Sequence, residues 1–317
     1  MARYLARRLL LALVTLWLLV TIVFTISNVL PRDVGRTILG PFAPQESFDA
    51  LNERLGTNRP LYIRYAEQIK GIVTLDFGES FVSSQPVLPT ILAAAGRSAK
   101  LAGLALLITI PTAIAAGLYA ARRRDRKVDR AIVLLGVTSS SIPEFITATI
   151  LVVVVGVQLG WLPVLATPPP DANVLTQIRY LLMPAIAMAI VYFGYIARMT
   201  RAGTIDVLQS DYTRTATMKG LTTSQTMRRH VLRNALVPTI AVIAVQIGYL
   251  FGGIIAVEKI FNYNGMGATM LFAAQRKDLP MLTAGVIVIG IVYMLATLAA
   301  DMTIAWMNPR IRLDAER

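Results

Sequence analysis

The chain alternates long apolar stretches with polar ones, and the apolar stretches have the length of membrane-spanning helices. A helix needs about 20 apolar residues to cross the roughly 30 Å hydrocarbon core of a bilayer. Five uncharged stretches of about this length occupy residues 9–29, 101–121, 180–197, 237–257 and 279–300. A sixth, residues 131–159, contains one acid, Glu144, directly after Pro143. The pattern predicts an all-α membrane protein with six transmembrane helices.

The first apolar stretch could be mistaken for a signal peptide, because Arg3, Arg7 and Arg8 precede it. Its uncharged run is longer than the roughly 7–15 apolar residues of a signal peptide, and no small-residue cleavage site follows Asn28. We interpret this stretch as a retained membrane anchor.

The composition supports a membrane environment. Of the 317 residues 55% are hydrophobic and 15% are charged, whereas soluble domains contain about 25% charged residues. The apolar excess excludes a disordered chain. The absence of cysteine excludes a secreted module held together by disulfides, and also a thiolate metal site.

The basic residues predict the orientation in the membrane. With six spans, one side carries the N-terminal tail, residues 122–130, residues 198–236 and the C-terminal tail. These segments contain 19 Lys and Arg against 6 acids, which accounts for the whole net charge of +13. Cytoplasmic loops are enriched in Lys and Arg, so this side is predicted to be cytoplasmic with both termini. The positive charge is thereby explained, and we expect no nucleic-acid partner.

The opposite side has one long segment, which predicts a folded extracytoplasmic loop domain after the first span. Structureless loops of this length are uncommon, and residues 59–69 have a helical pattern. We therefore divide the chain into residues 1–30 (tail and first span), 31–97 (loop domain) and 98–317 (a five-helix core with a cytoplasmic segment, 200–236).

Motifs of enzymatic chemistry are missing from the sequence. It contains no GxxxxGK[ST] phosphate loop, no GxGxxG and no HExxH. The single histidine, His230, lies in the cytoplasmic segment and far from any serine within a span. We expect a non-catalytic protein with no metal site.

The cytoplasmic segment is predicted to form two short helices. The first covers about residues 210–219, with Ser210 or Asp211 as its N-cap and Gly220 as its C-terminal stop. The second begins at Thr222 or Thr223 and has an apolar stripe flanked by arginines. Such a helix could lie on lipid headgroups or dock in the groove of a partner, and the pattern alone leaves both open.

Several short motifs along the chain are shared with one family of membrane proteins. The most specific lie in the cytoplasmic segment, DYTRTATMKGL at 211–221 and RHVLRNALVP at 229–238. Others are YLARRL at 4–9, DFGES at 76–80, RMTR at 198–201, GMG at 265–267 and NPRIR at 308–312. With these motifs the chain resembles the bacterial ABC importer permeases of the dipeptide, oligopeptide and nickel branch, and the resemblance implies a type I ABC importer permease fold.

The resemblance also implies a function and partners. The chain would be the pore subunit of an ATP-driven importer in the bacterial cytoplasmic (inner) membrane. It would assemble with a second homologous permease, two ATPase subunits and an extracytoplasmic substrate-binding protein. ATP and Mg²⁺ would bind only to the ATPase subunits, so this chain would bind no cofactor. Short peptides are the favoured substrates, although nickel chelates and haem also pass through relatives. The alternative is a secondary transporter or channel that works without ATP.

Two sets of residues are candidates for function. The resemblance assigns contact with the ATPase to the first cytoplasmic helix and its C-terminal end. These coupling residues are Asp211, Tyr212, Arg214, Thr215, Ala216, Lys219, Gly220 and Leu221. An acid within a span is costly unless it faces a polar surface, so Glu144 is expected to line the substrate pathway or to bond to a neighbouring helix. Ser140 and Ser141 are candidate hydroxyl partners on the same pathway.

Overall fold

The computed structural model describes residues 2–29, 40, 42–54, 56 and 58–307. These residues are mostly helical, and they include no β-strand apart from one isolated antiparallel bridge between Glu79 and Pro86. Segments 31–39 and 308–317, with the NPRIR motif, lie outside the described residues.

Twelve helices are described, and the long apolar stretches of the sequence lie within them, apart from residues 142–143 and 159 of the sixth stretch. The first six are α1 (Ala2–Val29), α2 (Gln45–Arg54), α3 (Leu61–Thr74), α4 (Val87–Arg122), α5 (Lys127–Ser141) and α6 (Glu144–Leu151, extended by a π-helical segment Val152–Gln158). The next three are α7 (Val174–Leu208), α8 (Asp211–Met218) and α9 (Thr223–Ala235, with a π-helical segment Met227–Val231). The last three are α10 (Val237–Ile260), α11 (Met266–Arg276) and α12 (Leu279–Met307).

By length and composition, four helices of the described chain can each cross a membrane alone: α1, α4, α7 and α12. Two further candidates are bent pairs. Helices α5 and α6 meet at 99°, and α9 and α10 meet at 45°. If each pair counts as one span, the total is six, the number that the hydrophobic pattern predicts.

The described chain forms two compact units, one of which contains residues 99–263 and the C-terminal part of α12. Its helices approach closely at glycines. A Cβ on Gly194 of α7 would overlap the carbonyl oxygen of Gly136 on α5. A Cβ on Gly117 of α4 would lie 2.6 Å from the carbonyl oxygen of Ala197. Only glycine permits this separation, so α4 and α5 both pack directly on the backbone of α7.

The other unit contains residues 7–98 and 264–292. Its polar centre is Asp278, which is 2% exposed and directly precedes α12. The Asp278 carboxylate accepts hydrogen bonds from the hydroxyl of Ser80, from the backbone N–H of Phe81 at 3.2 Å and from that of Met281 at 3.4 Å. Asp278 thus caps α12 and fixes the end of the DFGES motif.

Candidate functional site

Helix α8 is attached to the end of α7 by two hydroxyl groups. Ser210 occupies the N-cap position, as the sequence predicts. Its hydroxyl donates to the carbonyl oxygen of Val207 at 2.6 Å, and the Thr213 hydroxyl donates to the same oxygen at 2.8 Å. Val207 lies in the last turn of α7, and its carbonyl oxygen also accepts from the backbone N–H of Ser210 at 3.2 Å. The direction of α8 is therefore fixed relative to α7.

One face of α8 is buried and the other is exposed. Thr213 and Ala216 are buried, 4% and 6% exposed. The exposed positions are Asp211, Tyr212, Arg214, Thr215, Thr217 and Met218, followed by Lys219 and Gly220. Six of the eight predicted coupling residues are thus exposed. Ala216 is buried and Leu221 is half-buried.

Gly220 ends α8 in the left-handed conformation that the sequence predicts. Its φ is +83°. The N–H of Gly220 donates to the carbonyl oxygen of Thr217 at 3.0 Å, and the N–H of Leu221 donates to that of Ala216 at 3.3 Å. These two bonds form a Schellman motif, which satisfies carbonyls at the helix end. A Cβ on Gly220 would meet no heavy atom within 4 Å, so only the backbone conformation requires glycine here.

Helix α9 begins at Thr222 with a capping box. The Thr222 hydroxyl accepts from the N–H of Gln225 at 3.3 Å, and the Gln225 side chain accepts from the N–H of Thr222 at 3.0 Å. The Asn234 amide donates to the Tyr212 hydroxyl at 3.0 Å, and this bond connects α9 to α8.

The apolar stripe of α9 is buried within the chain itself. Met227, Val231 and Ala235 form a core cluster with Val207 and Leu208 at the end of α7. Because its own chain already covers this stripe, our two interpretations of it, as a headgroup-binding face and as a face for a partner's groove, are both wrong.

An ion pair that the sequence analysis missed lies close to this segment. Asp129 of α5 is 2% exposed. Its carboxylate accepts from Arg201 Nε at 2.5 Å and from Nη2 at 2.7 Å, and also from the backbone N–H of Asp125 at 2.9 Å. Arg201 belongs to α7, the helix that carries α8. The pair therefore joins the basic loop 122–130 to the segment 200–236.

The break between α5 and α6 places Glu144 at the start of a helix. Ile142 and Pro143 have extended backbone angles, and Pro143 has no N–H to continue the helical bonds. Glu144 is half-buried. Its carboxylate makes no hydrogen bond or ion pair with any residue that the structure describes.

The predicted partnership of Glu144 with the serines of α5 is wrong. The Ser140 hydroxyl donates to the carbonyl oxygen of Gly136 at 2.9 Å, and that of Ser141 to the carbonyl oxygen of Val137 at 2.8 Å. Hydroxyls within a helix commonly bond back in this way. Ser140 also accepts a long bond, 3.4 Å, from Arg198 Nη2.

No group of three or more His, Asp or Glu side chains that could hold a metal ion occurs in the described part of the chain. Apolar helices of spanning length, two further pairs of helices bent within a candidate span and a docked two-helix segment together define a multi-span membrane protein. The chain matches the family described as binding-protein-dependent transport system inner membrane component over residues 113–313, and its N-terminal family over residues 1–102. It belongs to this family, the permeases of ABC importers of the peptide and nickel branch.

The relatives extend over the whole chain. The glutathione transport system permease protein GsiC of Escherichia coli (strain K12) is 32% identical over 312 residues, which cover 98% of this chain and 99% of GsiC. The protein of the same name from Shigella boydii serotype 4 (strain Sb227) is 33% identical over the same length. The chain is thus a membrane-spanning permease component of an ABC importer, as its resemblance predicts.

Proposed function

We propose that this chain is one pore subunit of an ATP-driven importer of short peptides. It lies in the bacterial cytoplasmic membrane and pairs with a second, homologous permease. Two ATPase subunits dock on its cytoplasmic face, and an extracytoplasmic binding protein delivers the substrate. The chain binds no cofactor and performs no chemistry, because ATP and Mg²⁺ are bound by the ATPase subunits. The name of the relative GsiC supports a peptide, since glutathione is a tripeptide.

The geometry of α8 is the observation that carries the proposal. Its inner face is fixed to α7 and α9 through Thr213, Ala216 and the bond between Tyr212 and Asn234. Its outer face, with Asp211, Arg214, Thr215 and Lys219, is free. A helix that is held firmly on one side and exposed on the other can transmit a partner's movement to the spans. Closure of the ATPases on ATP would move α8 and reorient the spans between inward-open and outward-open states.

The proposed topology has six spans, with both termini and residues 122–130 in the cytoplasm and residues 31–97 outside. Because the chain contains no cysteine, single cysteines can report on sidedness. Ser47→Cys and Thr176→Cys should react with an impermeant maleimide in intact cells, and Asp125→Cys should react only after permeabilisation. Labelling of the Asp125→Cys site alone in intact cells would show that the chain has the opposite orientation.

The partner assignment is tested by purification of the tagged chain in mild detergent. We expect two ATPase subunits and a second permease to copurify, and we expect proteoliposomes of the complex with the binding protein to import peptide only with ATP. Peptide uptake by the chain alone, without ATP, would instead establish the alternative, a secondary transporter or channel.

A further inference from the structure

Two polar groups without partners converge at the break between α5 and α6. The first is the half-buried Glu144 carboxylate, which no residue of the described chain neutralises. The second is the hydroxyl of Tyr192 on α7. Tyr192 is 2% exposed, and its hydroxyl has no hydrogen-bond partner among the described residues. Buried polar groups in native proteins are normally hydrogen-bonded, so each exception requires an explanation.

Both groups lie close to the backbone of Gly253 on α10. A Cβ on Gly253 would lie 2.8 Å from Glu144 Oε1 and 3.2 Å from the Tyr192 hydroxyl oxygen. Because Gly253 has no side chain, both oxygens can approach the same part of the α10 backbone, and they converge where three helices meet. A carboxylate is an acceptor only, and a tyrosine hydroxyl both accepts and donates.

We propose that Glu144 and Tyr192, which converge beside the backbone of Gly253, form a binding site for the ammonium group of the transported substrate. The ammonium group would donate one hydrogen bond to the Glu144 carboxylate and a second to the Tyr192 hydroxyl oxygen. A cation is the chemical class that satisfies both groups, since it neutralises the carboxylate and supplies the missing donors. The inference rests on the proposed function, because the free amine of a peptide is the ammonium that such an importer would meet.

Movements of the helices during transport would change the geometry of this site. Its three residues come from α6, α7 and α10, so a change in the angle between these helices would alter the site. The carboxylate lies at the bent junction of a broken span, and non-helical backbone at membrane depth is tolerated only in protein or beside a water-filled cavity. An ammonium group would thus be held in one arrangement of the helices and released in another.

The experiment compares import of peptides with and without the amine. Proteoliposomes contain the complete importer and the binding protein, and the probes are glutathione, trialanine and their N-acetylated forms. The readout is the ratio of the import rates of each free peptide and its acetylated form. Every variant uses the same binding protein, so the preference of that protein cancels when a variant is compared with the wild type.

We expect Glu144→Gln to lower this ratio by about tenfold or more, because a hydrogen bond to a charged group is lost. Tyr192→Phe should lower it less, and Tyr195→Phe, on the exposed side of the same helix, should leave it unchanged. Gly253→Ala should lower it, because the added Cβ would lie 2.8 Å from Glu144 Oε1 and displace the carboxylate. Its matched control is Gly103→Ala, since a Cβ on Gly103 meets nothing within 4 Å.

A second measurement does not depend on import of the acetylated peptides. In the cysteine-free chain, Gly253→Cys places a thiol beside Glu144. A cationic methanethiosulfonate should react with it faster than an anionic one, and Glu144→Gln should abolish the preference. Equal rates with both reagents, or no reaction with either, would overturn the ammonium site.

The failures of the two proposals are distinguishable. If the wild type imports peptides with ATP but Glu144→Gln slows the free and acetylated forms equally, Glu144 has a structural role and only the ammonium site is wrong. If the wild type imports neither peptide with ATP, the proposed peptide function is wrong, and the ammonium site is wrong with it.

Discussion

Gly220→Val is expected to abolish ATP-driven import while leaving the chain inserted and paired with its partner permease. Gly220 has a φ of +83°, and a β-branched residue in this conformation costs about 1–3 kcal/mol. That cost is large for α8, which has eight residues, and small for a bundle of long apolar helices. We expect loss of the Schellman bonds, displacement of α8, weak docking of the ATPases and loss of substrate-stimulated hydrolysis. ATPase copurification and import into proteoliposomes measure these effects.

The controls separate backbone strain from other causes. Asparagine tolerates the left-handed conformation, so Gly220→Asn should retain most of the import. The import rate of Gly220→Ala should lie between those of Gly220→Asn and Gly220→Val. Gly160 has a φ of +63° and equally open surroundings, but it lies far along the chain from α8. Gly160→Val should therefore leave the coupling of hydrolysis to import intact. Normal ATP-driven import by Gly220→Val would remove α8 from the coupling mechanism.

Arg201→Met is expected to destabilise the protein by about 3–5 kcal/mol, because it leaves the Asp129 carboxylate buried without its counterion. The Asp129 side chain is 3% exposed and that of Arg201 is 25% exposed. Asp129→Asn should destabilise the protein less than Arg201→Met. The partly exposed Arg201 guanidinium can be hydrated, and the new amide oxygen still accepts a hydrogen bond. The double variant should be more stable than Arg201→Met alone. Thermal unfolding in detergent measures the order of stability of the three variants.

A second ion pair of the described chain supplies the control for this prediction. Arg59 and Glu67 lie 2.6 Å apart, close to the separation in the Asp129–Arg201 pair, but their side chains are 56% and 53% exposed. Exposed pairs contribute about 0–1 kcal/mol, so Arg59→Met should leave the unfolding temperature almost unchanged. Equal effects of Arg59→Met and Arg201→Met would show that burial does not set the strength of the pair.

Features that depend on nearby residues were predictable from the sequence. The long apolar stretches predict the spanning helices, since bilayer thickness fixes their length. Ser210 and Gly220 predict the two ends of α8, and Thr222 predicts the start of α9. Helix caps and C-terminal stops depend on hydrogen bonds between residues a few positions apart, so the local sequence is sufficient to predict them. The apolar stripe of α9 was also visible, but periodicity identifies a buried face without naming what covers it.

Features that depend on distant residues were not predictable. Asp129 and Arg201 are 72 positions apart, and each looks like one more charge in a basic segment. The convergence of Glu144, Tyr192 and Gly253 likewise requires the packing of three helices. The prediction that the Ser140 and Ser141 hydroxyls are partners of Glu144 failed for a related reason. Sequence proximity to Glu144 suggested contact, whereas helical geometry gave their hydroxyls a nearer acceptor one turn back.

The length of α7 has a mechanical consequence. Its 35 residues extend about 52 Å at 1.5 Å per residue, well beyond the roughly 30 Å of a hydrocarbon core. A tilt of about 5° around its midpoint displaces each end by about 2 Å, which is comparable to the length of a hydrogen bond. One helix, which contains Pro184, thus carries Tyr192 near its centre, Arg201 near its end and the attachment of α8 at Val207 in its last turn. A rotation that is too small to disturb the packing at the midpoint of α7 is therefore enough to make or break polar contacts at its C-terminal end.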